Sequence, residues 1–183
     1  MARFSPSSVT VVPLAQLELM RRSLERGMHL QAWQVAEKLP PFQTWAGADA
    51  RCLAGRLASA LGNPSWQRRL HLRAWKEAPA HPEAFYHYIV LVLETRGALA
   101  GWQLLKKSRQ FFDTSPRLQA KFLCLRARLA GHLRDFETAD AFLAQVGKLG
   151  VDKMLLLVER AWLLTMRVPL PVGHTVICIA RRR

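Results

Sequence analysis

The chain has 183 residues, half of them apolar, which is enough to bury a sizeable core and too apolar for a disordered segment. Lys and Arg number 27 against 13 Asp and Glu, a formal net charge of +14, which points to an acidic partner: protein, nucleic acid or an anionic surface. Three distant cysteines, Cys52, Cys124 and Cys178, exclude a disulfide framework and have no metal-ligand spacing, so a reducing, cytoplasmic setting is the default reading. The charge also has a compositional reading, because abundant Ala, Leu and Arg together follow from a GC-rich coding bias without any selection for phosphate.

Residues 1–13 are Ser/Pro-bearing and only mildly apolar, too weak for a signal sequence, and read as an irregular lead-in. The longest apolar runs, 88–93 and 154–158, fall far short of the ~20 residues of a membrane helix, so no membrane span is expected.

From residue 14 onward the apolar residues recur three and four apart, as at Leu53, Leu57 and Leu61 or at Leu123, Ala127 and Ala130, which predicts helices throughout. Glycines fall at Gly27, Gly62, Gly97 and Gly131, at intervals of about 34 residues, each ending a helical pattern (LELMRRSLERG, ARCLAGRLASALG, FYHYIVLVLETRG, FLCLRARLAG). An aromatic follows four to six residues after each: Trp33, Trp66, Trp102 and Phe136, each inside a second helical segment. Joints carry proline or polar residues at Pro40 and Pro41, 79–82, 113–116 and 147–152, and Pro64, Pro82 and Pro116 mark helix starts. The predicted hairpins are therefore 14–39, 46–78, 82–112 and 116–148, with a half hairpin at 151–167.

This helix–turn–helix period, with small residues at Ala32, Gly55, Ala74 and Ala139 and a proline at Pro79, resembles the tetratricopeptide repeat over roughly residues 14–166. Arg51, Gln67 and Trp102 depart from the family pattern. The resemblance implies an all-α fold, a right-handed α-solenoid of antiparallel hairpins, about four and a half repeats. After about Arg167 the pattern stops: VPLPVGHTVICIARRR, residues 168–183, is an irregular basic tail unlike a second or capping helix. The expectation is a piece of a longer repeat protein, interrupted near that point.

No phosphate loop, dinucleotide fingerprint, nucleophile elbow or HExxH occurs. His81 and His87 are six apart, off a common helix face, so no metal site, no cofactor and no enzyme activity are expected. Asp135, Glu137 and Asp140 cluster at a helix start, where they complement the macrodipole. Trp33, Trp66, Trp75 and Trp102 read as packing residues rather than a base-stacking platform.

In tetratricopeptide-like arrays the first helices line a concave groove. Carried over by position, that groove holds Arg56 and Ser59, then Tyr86 and Val90, then Lys121 and Arg128. Such a surface suits a peptide with an acidic residue beside a hydrophobic anchor. The expected function is a protein-interaction scaffold. The competing reading is a basic nucleic-acid binder using a ridge of Arg69, Arg73 and Lys76 with Lys106, Lys107 and Arg109. A third makes the chain the regulatory arm of an enzyme whose catalytic domain lies elsewhere.

Overall fold

The computed structural model describes residues 9–106, 115–150 and 153–168. Among these residues the chain is all-helical, with nine α-helices and no strand beyond a single bridge between Thr10 and Trp45. They are α1 (Leu14–Glu25), α2 (His29–Ala36), α3 (Ala48–Ala60), α4 (Pro64–Glu77), α5 (Pro82–Arg96), α6 (Ala98–Lys106), α7 (Pro116–His132), α8 (Phe136–Lys148) and α9 (Lys153–Arg167). A short 3-10 turn, Phe42–Thr44, lies in the joint between α2 and α3. Lys107, Arg109, Cys178 and the basic tail after Val168 lie outside the described residues, as do positions 113 and 114 of the third joint.

Local chemistry accounts for the helix ends. Pro64, Pro82 and Pro116 open α4, α5 and α7 with a backbone angle already set for a helix and no N–H to leave unsatisfied. The side chains of Asn63, Ser115 and Asp135 each accept a hydrogen bond from the backbone N–H three residues on, capping α4, α7 and α8. Gly27 and Gly62 stand at φ +72° and +79°, the left-handed conformation in which glycine is unstrained. Met28 N–H then reaches the Ser23 carbonyl at 2.9 Å, and Asn63 N–H the Ala58 carbonyl at 2.8 Å, so the orphan carbonyls at the helix ends are satisfied.

The fourth turn is a correction. Gly131 does not end its helix; α7 runs through it to His132, and Arg134 takes the left-handed position at φ +65°. Asp135 N–H bonds the Ala130 carbonyl at 2.9 Å, so the same motif forms around a residue that dislikes it, at about 1–2 kcal/mol. Likewise α8 continues through Gly147 to Lys148, and the joint glycine is Gly150 at φ +63°.

The chain divides into two compact units, Met1–Leu91 and Val92–Arg183, and α5 runs from the first into the second. In the first, α1 packs on α2 and α3 on α4, and both α1 and α2 also touch α3. Its core gathers Leu17, Met20, Ala32, Leu53, Leu57 and Leu70 around the fully buried Trp45, whose indole N–H donates to the Pro40 carbonyl at 2.7 Å. The lead-in residues contribute as well. Thr10 exchanges backbone hydrogen bonds with Thr44 and Ala46, and Val12 enters the core. In the second unit α7 packs on α8, α6 on α7, and α9 on both α7 and α8. Its core holds Ala120, Leu123, Ala127, Ala139, Leu143, Val146 and Leu163.

The small residues mark close approaches. A Cβ on Gly55 would lie 2.3 Å from the buried imidazole of His71, whereas one on Gly131 would meet the flexible end of Leu163 at 2.9 Å and the Trp162 ring at 3.1 Å. Both glycines lie inside helices, so alanine gains about 1 kcal/mol of propensity at either. Gly55→Ala is nevertheless expected to destabilise by about 2 kcal/mol net through overpacking, and Gly131→Ala to cost clearly less, because Leu163 can give way and the Trp162 ring need move only slightly. Urea unfolding of the two variants side by side measures the contrast; equal losses would contradict it.

Candidate functional site

The sequence-predicted groove residues fall into both units. In the first, Arg56 and Ser59 lie on α3, with Ser59 exposed, and Tyr86 and Val90 are half-buried on α5. In the second, Lys121 and Arg128 are half-buried on α7. The two arginines expected to meet an acidic partner already have carboxylates. Arg56 sits 3.4 Å from Glu83, and Arg128 donates from Nε and Nη2 to both oxygens of Glu159 at 2.7 and 2.6 Å. The Arg128 pair is bidentate, and Glu159 is 3% exposed, so this is a partly desolvated ion pair fixing α9 to α7.

Of the basic ridge, Arg69, Arg73 and Lys76 are exposed on α4, and Arg73 donates to the Gln43 carbonyl at 3.2 Å. Lys106 is exposed at the end of α6.

Sequence reasoning missed one polar constellation. His71 of α4 and His87 of α5 stack face to face, with ring centroids 3.9 Å apart, and Glu83 lies 3.8 Å from His87 and within reach of Arg56. Only the fold joins histidines sixteen positions apart on different helices. Burial first, then the neighbouring His87, lowers the His71 pKa to about 3, against a hydrogen bond to the Cys52 backbone that raises it. His71 is thus neutral, with its Nε2 buried and lacking a hydrogen-bond partner. A general base needs an open path to a substrate, and this imidazole packs against Gly55 instead. Among the described residues no group of three or more His, Cys, Asp and Glu is placed to hold a metal ion. Cys52 and Cys124 are buried, as their helical positions predict, and burial pushes the Cys124 thiol up to about 12, away from nucleophilic use.

An apolar pocket of about 490 Å³ opens in the first unit. Trp33, Phe42, Leu61 and Trp66 line it, with Pro40 and Pro41 along one wall and Glu37 and Asn63 at its polar margin. The rings hold one another edge to face: Trp33 to Phe42 at 6.0 Å and Phe42 to Trp66 at 6.2 Å. Phe42 is pinned from below by Trp45 at 4.9 Å, so the floor is rigid, while Trp33 and Leu61 remain well exposed at the rim. Of the tryptophans expected to pack, Trp75 stacks on Tyr88 at 3.8 Å and Trp102 meets Phe142 edge-on at 6.4 Å; Trp33 is the one with an exposed face toward the pocket.

Comparison with protein-family models, with curated proteins and with solved structures finds no match to this chain.

Proposed function

We propose that this protein is a non-catalytic interaction scaffold, a stack of tetratricopeptide-like hairpins that captures a partner segment by a hydrophobic anchor. The observation that carries the reading is the aromatic pocket between α2, α3 and α4, open at Trp33 and Leu61 and rigid at Phe42. Preformed apolar pockets rimmed by aromatics are where interfaces concentrate their binding energy. The stacked-hairpin reading draws support from packing within each unit, where a second helix lies on the following first helix (α2 on α3, α6 on α7, α8 on α9). With Arg56 and Arg128 engaged by Glu83 and Glu159, preference for an acidic partner rests on the net charge of +14 rather than on those two side chains.

Selection of a displayed random-peptide library against the full chain tests this. Enrichment of peptides sharing an aromatic or aliphatic anchor is expected, with affinity falling about tenfold or more in Trp33→Ser, its melting curve checked against the parent because the indole also packs on Phe42. No enrichment, or equal binding by the variant, counts against it. The exposed Arg69, Arg73 and Lys76 on α4 favour nucleic acid as the second reading. That reading requires oligonucleotide binding that weakens steeply between two salt concentrations and is relieved by charge reversal on α4.

A further inference from the structure

The helix α9 is apolar on two opposite faces. Leu155, Leu156, Trp162 and Leu163 pack against the core of the second unit, and Glu159 on the same side is held by Arg128. On the other side Met154, Leu157, Val158, Ala161, Leu164 and Val168 are all exposed, Leu157 at 63% and Leu164 at 62%. The spacing of Met154, Leu157, Ala161, Leu164 and Val168 is three, four, three, four: a heptad seam of the kind that receives a second helix. Beside it runs a second row seven apart, Lys153, Arg160 and Arg167, all exposed, with Arg167 also paired to Asp140 of α8. A cleft of about 530 Å³ borders the seam, lined by Leu157, Ala161, Leu164 and Arg160 with Asp140 and Leu143 from α8. An apolar stripe on a helix normally faces other protein, and α9 carries two.

We propose that this face of α9 docks an amphipathic helix of about four turns whose apolar seam is flanked by acidic residues. Charge decides among the occupants. In an antiparallel pair of two copies the Lys153, Arg160 and Arg167 row would face itself, and in a parallel pair it would lie against Val158 and Thr165, which supply no counter-charge. Residues 169–183 of this chain contain no acidic residue and end in three arginines, so they do not complement the row either. An acidic-flanked helix satisfies the seam and the row together. This face of α9 shares no residue with the anchor pocket of the first unit.

The probe is a fluorescent two-heptad peptide, about four turns long, with Leu at the seam positions and Glu at the flanks, titrated into the full chain by anisotropy; the Glu flanks keep it from pairing with itself. Saturable binding is expected, about tenfold weaker for the same peptide with Lys flanks, the difference shrinking in high salt. The double variant Leu157→Ser with Leu164→Ser, at exposed positions and checked for an unchanged melting curve, should lose binding, and Arg160→Glu should shift preference toward the Lys-flanked peptide. Trp33→Ser should leave this binding unchanged, which separates it from the fate of the pocket. Equal affinity for both peptides, no binding, or a dimer dispersed by the double variant would each overturn the proposal.

Discussion

Replacing Arg128 by alanine should destabilise the second unit by about 3 kcal/mol, although half the residue's own side chain is near solvent. The reason is its partner. Glu159 is 3% exposed and receives both Nε and Nη2 of Arg128; without them a carboxylate stays buried among Leu155, Trp162 and Leu163 with its counter-charge gone. Glu159→Gln should be milder than Arg128→Ala, since a neutral amide bears burial better than a lone anion. The double replacement Arg128→Met with Glu159→Leu should recover most of the loss, because a partly desolvated ion pair adds little over a well-packed apolar pair. Urea unfolding of the four proteins makes the comparison. A double variant no more stable than Arg128→Ala would show that the loss does not come from stranding the Glu159 carboxylate.

Mild acid should destabilise the first unit before its carboxylates are protonated. His71 takes a proton near 6.5 when unfolded and near 3 when folded, so between those values the unfolded chain holds the extra proton and stability falls as pH falls. Its contribution is fully present above pH 6.5, with a loss of about 2 kcal/mol by pH 5 that grows toward pH 3. The titratable and charged groups facing it are His87, Glu83 and Arg56; the first and last oppose the added proton, while the Cys52 backbone and Glu83 favour it. His132 in the second unit is lowered in the same direction by burial and by Arg128, which adds to the trend. Denaturant midpoints at pH 7, 6 and 5 measure the slope, and His71→Leu should flatten it while costing some packing. A midpoint independent of pH above 5 would contradict the account.

The sequence made the helices legible because their punctuation is local. Pro64, Pro82 and Pro116 start helices by their own ring geometry, and Gly27, Gly62 and Gly97 end them by lacking a side chain. Gly131 misled because a glycine serves two purposes. Its place in the 34-residue rhythm signals a turn, but its use is close approach to Leu163 and Trp162, and the turn falls three residues later on Arg134. The burial of Ala32, Ala74 and Ala139 follows the same close-packing logic and was readable.

The site was harder to read, for physical reasons. Placing Arg56 and Arg128 on a groove face by position says nothing of which side chain meets them, and Glu83 and Glu159 lie 27 and 31 residues away. The His71–His87 stack depends on how α4 meets α5, which periodicity does not fix. The aromatic pocket draws on Trp33, Phe42 and Trp66 from two hairpins and the joint between them. A signal was present in the sequence: PPF at residues 40–42 follows the helix carrying Trp33 and precedes the hairpin carrying Trp66, which puts rigid backbone near aromatic rings.

Hydrogen–deuterium exchange of the full chain, alone and saturated with a library-selected peptide, tests the scaffold reading most directly. The account predicts slowed exchange in the segments that wall the pocket, residues 33–42 and 58–66. Unchanged exchange there, with protection instead across Arg69, Arg73 and Lys76 of α4 when an oligonucleotide is added, would contradict it.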